Sequence, residues 1–106
     1  MKSNPAFGNM QKKHFKTLIQ YVPIVARVHG GTHPEFHEVR RIFDSISQKV
    51  KENSPAMPDL TQEFAKLREI TTNYTIPMDV CESYEAVYSM LAELDSAYQE
   101  SKSCSD

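Results

Sequence analysis

Glycine, cysteine and long apolar runs are all scarce in this chain, and each shortage narrows what it can be. Only three glycines occur in 106 residues, too few for Gly-rich phosphate cradles or for an all-β chain built on tight turns. The two cysteines, Cys81 and Cys104, make no disulfide framework, and no CxxC pair exists to hold zinc or run redox exchange. Two unlinked thiols are expected, Cys81 in a helical pattern and Cys104 in a polar tail. No stretch reaches the ~20 apolar residues of a membrane span, and no signal-peptide core opens the chain. The expectation is a soluble, cytoplasmic protein with no membrane partner. Neither sign of charge dominates: a formal net charge of −2 and an isoelectric point near 6.1 give no basic field, which argues against nucleic acid as a partner.

What is present is ordinary globular material, 40% apolar and 25% charged, in one domain spanning residues 1–106. The apolar residues recur in steps of three and four, the spacing of one helix face packed in a bundle. Phe15, Leu18, Val22 and Val25 carry this stripe through a first helix over residues 10–29, and His29 takes its next position. Pro23 removes one donor inside that helix, so a kink near Leu18 and Ile19 is expected. Gly30-Gly31 reads as a left-handed stop. Thr32 and Glu35 have capping-box spacing with Pro34 in the first turn. They open a second helix over residues 33–52, striped by Phe36, Val39, Phe43, Ile46 and Val50.

The prolines Pro55 and Pro58 break the chain. A third helix over residues 59–74 shows Leu60, Phe64, Leu67, Thr71 and Tyr74, and Ile76-Pro77 ends it. Asp79, with Glu82 three residues on, is the expected cap of a fourth helix over residues 79–99. Its face is Val80, Tyr84, Val87, Leu91, Leu94 and Tyr98. Residues 101–106 form a polar tail expected to fray. No segment alternates with period two for long enough to make a strand. Four amphipathic helices on short links predict an all-α fold, an antiparallel up-and-down four-helix bundle.

The four histidines are His14, His29, His33 and His37. His29 alone has a core address, and an inward imidazole is either a buried polar group with a partner or a ligand. His33 and His37 have the helical spacing of two metal ligands, but no H-E-x-x-H carboxylate lies between them and both read as surface imidazoles. His14, beside Phe15, also reads as surface. A di-iron site in a bundle needs histidines and carboxylates projecting from several helices, and the stripes of the second, third and fourth helices offer none. No catalytic or cofactor-binding residue is expected. His29 is the first candidate metal ligand, with His33 and His37 behind it. Cys81 adjoins Val80 near a helix start, a place where helix dipoles activate thiols. Its base would have to be His29 or His33, and spacing brings neither near, so Cys81 reads as packing. Tyr84, Tyr88 and Tyr98 read as core and rim.

These residues also resemble a known family. Val25-Ala26-Arg27-Val28-His29-Gly30 followed by His33-Pro34-Glu35 is similar to the V-x-R-V-H-G-x-x-H-P-E segment of hemerythrin-like di-iron proteins that repair iron–sulfur clusters. Leu67-Arg68-Glu69-Ile70-Thr71-Thr72-Asn73-Tyr74-Thr75-Ile76-Pro77-Met78-Asp79-Val80-Cys81 is similar to the family's L-R-x-L-T-x-x-Y-x-x-P-x-D-A-C stretch. Ser83-Tyr84-Glu85-Ala86-Val87-Tyr88 and Leu91-Ala92-Glu93-Leu94 continue it, so the resemblance covers most of residues 22–98. It implies a bundle holding two irons through histidines and glutamates, in proteins that act in recovery from nitrosative and oxidative damage.

Carried over by position, His29 matches one iron-ligating histidine. The first-helix ligand falls near Gly8, and the H-x-x-x-E segment closing the second helix is missing around residues 53–57. The third-helix histidine falls near Met57, the final H-x-x-x-E near Ser101 and Ser105, and the family's N-terminal cysteine-bearing domain is unmatched. The resemblance therefore implies a shortened, degenerate relative. It is expected to be non-catalytic and without a cofactor, di-iron entering only if the family site is retained. Protein binding is the expected mode, to a full-length relative or another protein, with a homodimer covering leftover apolar surface. Two other readings stay open. One is iron or zinc held by His29 with His33 or His37 across a dimer; the other is a structural adaptor unrelated to iron.

Overall fold

The computed structural model describes residues 6–53 and 57–103. Among them there are four helices and no strand: α1 Ala6–His29, α2 Glu35–Asn53, α3 Thr61–Thr71 and α4 Glu82–Ser103. They pack into a helical bundle measuring 47 × 23 × 21 Å. No helix in it is long and apolar enough to cross a membrane.

The stripes read from the sequence form the core. Leu18, Val22 and Val25 of α1 meet Phe36, Val39, Phe43 and Ile46 of α2, Phe64 and Leu67 of α3, and Tyr84, Val87, Leu91, Leu94 and Tyr98 of α4 in one buried cluster. Each such side chain contributes about 1.5–3 kcal/mol by leaving water. α1 lies chiefly on α4 and α2 on α3, with a smaller contact between α1 and α2. Three pairings run along the α1–α4 seam. Phe7 N donates to Ser101 Oγ at 3.0 Å, His14 Nε2 lies 2.6 Å from Glu93 Oε1, and His29 Nε2 lies 3.2 Å from Cys81 Sγ. The α2–α3 seam is tied by Lys49 Nζ and Glu63 Oε2 at 2.7 Å.

Several local expectations are corrected. α1 begins at Ala6, four residues before the expected start, because Phe7 extends the stripe and packs edge-on against Phe64 and Tyr98. His14 is buried and Phe15 only partly so, the reverse of their expected places, since Glu93 gives the imidazole a partner. α1 does continue through Pro23 as one helix, as expected. The carbonyl released there belongs to Ile19, a residue more than half exposed.

Neither Gly30 nor Gly31 has a positive φ. Gly30 is required for a different reason: a Cβ there would overlap the His37 ring and the Ala26 carbonyl. The left-handed residues are instead Thr72, Asn73 and Tyr74, which end α3 at Thr71 and leave Tyr74 outside it. Thr32 makes no capping box, since its hydroxyl donates to the His29 carbonyl. Asp79 does not cap α4, which starts at Glu82 with Glu85 N donating to Cys81 O. α4 runs on through Ser103, so the helix claims the first part of the expected tail, while Pro55 and Cys104 lie outside the described residues.

Candidate functional site

The end of the bundle where α1 stops is built from the two sequence blocks of the resemblance. The first supplies His29, the last residue of α1, and then His33 and Glu35 across the turn into α2. The second supplies Asp79 and Cys81, on the segment leading into α4. Between them stands Tyr84, fully buried, with the His29 ring edge-on to it at 5.3 Å and the His33 ring at 5.4 Å on centroid separation.

His33 is a bridge. Its Nδ1 is 3.1 Å from Glu35 Oε2 and its Nε2 3.1 Å from Asp79 Oδ1, so one imidazole joins the start of α2 to the segment before α4. Desolvation opposes its charge, but hydrogen bonds to Glu35 and Asp79 and their negative charges outweigh it. Its pKa is raised above the ordinary histidine value of 6.5. The Tyr84 hydroxyl lies 3.1 Å from that of Tyr88 and 3.5 Å from Glu35 Oε2. Burial first, then the Tyr88 hydroxyl and the Glu35 carboxylate, hold Tyr84 protonated well above the usual tyrosine range.

His29, expected in the core, is only partly buried at the end of α1, and it forms the other pair with Cys81. Cys81 is exposed, and His29 Nε2 sits 3.2 Å from its sulfur. Packing was the expectation for Cys81, and the structure overturns it. Fifty-two positions separate the two residues, so no spacing rule could have joined them. The only signal available was that the two residues belong to the two blocks, His29 within the first and Cys81 at the end of the second. His37 is exposed, lies over Gly30, and is not brought into hydrogen bonding with either of the other two candidate histidines.

The second block has a structural job besides. Arg68 Nη1 donates to both oxygens of Asp95 at 2.7 Å, and the Tyr74 hydroxyl donates to Asp95 Oδ2 at 2.7 Å. Thr71 Oγ1 donates to Leu67 O and accepts from Tyr74 N. Leu67, Arg68, Thr71 and Tyr74 thus form the clasp that ends α3 against α4. Burial and the Asp95 carboxylate push the Tyr74 hydroxyl far above its usual range.

These residues do not fit a di-iron centre. The two nitrogens of His33 face different carboxylates on opposite sides of the ring, and the Nε2 of His29 faces a thiol. Among the described residues no three His, Cys, Asp or Glu side chains converge as metal ligands.

Comparison with known proteins adds one relative. The chain is 23% identical over 120 aligned positions to the iron-sulfur cluster repair protein ScdA of Staphylococcus haemolyticus, covering 84% of this chain and 54% of that protein. This chain thus spans about half the length of the curated relative it matches. The similarity supports a distant relationship to iron–sulfur cluster repair proteins. No family model and no solved structure matches.

Proposed function

We propose that this chain is an antiparallel up-and-down bundle, related to iron–sulfur cluster repair proteins, that works by binding another protein rather than by di-iron chemistry. The supporting observation is what fills the bundle. Where a di-iron bundle presents histidine and carboxylate from facing helices, this one presents Phe36, Phe64, Tyr84, Tyr88 and Tyr98, each no more than 1% exposed. Phe36 stacks on Tyr88, and Tyr98 packs against Phe7 and Phe64. These two separate aromatic clusters support a scaffold held by its own packing. The falling order of partners along α1, from Ser101 through Glu93 to Cys81, supports opposite directions for α1 and α4.

The surface offers apolar side chains for a partner. Ile24 and Val28 are 47% and 63% exposed and lie one turn apart on α1. A second copy of the chain or a full-length iron–sulfur cluster repair protein are the partners proposed for them. Two measurements test the reading together. Protein purified untagged from iron-replete cells is expected to carry iron near zero by elemental analysis. It is also expected to form a complex with itself or with a full-length repair protein on sedimentation. About two irons per chain, the content of a complete di-iron bundle, overturns the reading, and so does a monomer that binds no repair protein.

A further inference from the structure

We propose that His29 and Cys81 form a thiol-exchange site, at which Cys81 takes up one half of a small disulfide with His29 as the base. The proposal is independent of the partner-binding reading. It stands on geometry contributed by separate parts of the chain. The sulfur is exposed at the entry to α4, an imidazole nitrogen from the end of α1 lies 3.2 Å away, and that ring is braced edge-on by the buried Tyr84. A nucleophile, a base within reach and a third group orienting the base is the arrangement that activates thiols. His33 cannot take the same part, because both its nitrogens are engaged by Glu35 and Asp79.

The step balances as a thiol–disulfide exchange. With the His29 proton on Nδ1, Nε2 takes the proton from Cys81 Sγ. The sulfur's electron pair attacks one sulfur of R–S–S–R, the disulfide bond breaks, and a Cys81–S–S–R bond forms. The departing RS⁻ takes the proton from His29 and leaves as RSH. The Cys81 sulfur is oxidised and the leaving sulfur is reduced, so the disulfide itself is the oxidant.

The charges around the pair select the disulfide. Asp79, Glu82 and Glu85 stand within four positions of Cys81 along the chain. Across Tyr84, α2 contributes Glu35 with His33 between it and Asp79, and Arg27 is the charged residue nearest His29 along α1. The carboxylates outnumber the cations. A cationic aliphatic disulfide is therefore favoured over an anionic one.

The test uses the full chain carrying Cys104→Ser, so that only one thiol remains. Cystamine, a dication, and oxidised glutathione, an anion, are each added at pH 7, and adduct formation is followed by intact mass. Cystamine is expected to modify Cys81 faster than oxidised glutathione does, and the adduct is expected to vanish in Cys81→Ser. Because a free thiol is only a few per cent thiolate at pH 7, adding His29→Gln is expected to slow the cystamine reaction about tenfold. Equal rates with and without His29→Gln, in variants of equal helicity, overturn the proposal. Should His29→Gln fail to fold, the pH profile of the Cys104→Ser chain decides. A fall clearly short of tenfold between about pH 7 and 6, where an unassisted thiol with a pKa of about 8.5 loses its thiolate tenfold, supports the pair, and the full tenfold fall overturns it.

Discussion

Asp95 and Gly30 show how much single residues decide in this fold. Asp95 is only 4% exposed and accepts from Arg68, Tyr74 and Gln99. Removing one partner of a buried, hydrogen-bonded charge leaves the other uncompensated, but the Arg68 side chain is 37% exposed and water repays part of that loss. Asp95→Ala is therefore expected to cost about 2–3 kcal/mol in urea unfolding, while Tyr74→Phe costs about 1 kcal/mol through the lost hydroxyl bond. If the two losses simply add in the double variant, the clasp is not acting as a unit. Gly30 has no room for a methyl group beneath the His37 ring. Gly30→Ala is expected to lower stability by about 1–3 kcal/mol, the usual cost of overpacking. Adding His37→Ala is expected to restore part of it, and a neutral Gly30→Ala would show that the turn relaxes freely. Glycine here was legible in the sequence as a helix stop, but its reason was not, because much of the close approach comes from His37 on α2.

At the scale of elements, the junction between α2 and α4 depends on His33 being charged. Its pKa is raised in the fold by Glu35 and Asp79. The sign follows directly: a raised folded value means the contribution is complete below the ordinary value of 6.5 and is lost as pH rises through the folded value. Thermal stability is expected to fall over that interval, and His33→Gln is expected to flatten the fall. Melting curves from pH 5 to 9 check this, and an unchanged pH dependence in His33→Gln would remove His33 from the account. Asp79 illustrates why sequence reading misplaced the cap. Asx spacing before a helix is a local rule, and a nearby imidazole offers the carboxylate a charged partner that the rule does not see. α3 ends early for the same kind of reason: Thr72, Asn73 and Tyr74 turn left-handed so that the Tyr74 hydroxyl reaches Asp95 on α4.

For the whole molecule, the aromatic interior and the exposed apolar residues of α1 lead to opposite expectations. The interior closes without help from outside the chain, whereas Ile24 and Val28 remain in water. If they cover a second copy, Ile24→Lys with Val28→Lys is expected to shift the sedimenting species from dimer to monomer and leave the melting temperature of the monomer fold unchanged. A dimer that persists places the interface elsewhere. The long axis of 47 Å puts the His29–Cys81 end far from the Phe7–Ser101 end of the same α1–α4 seam.

The sequence by itself determined that there are four helices and which of their faces are apolar, because spacing of three and four residues is set within a single helix and burial follows from it. It also located the two blocks that build the end of the bundle and placed His29 among them. Only the tertiary structure decided what those residues do. Whether His33 is a surface imidazole or a bridge, and whether Cys81 packs or faces a base, depends on which residues a turn and a loop bring within about 3 Å of each other. That distance is fixed by how whole helices lie together, and no pattern along the chain records it.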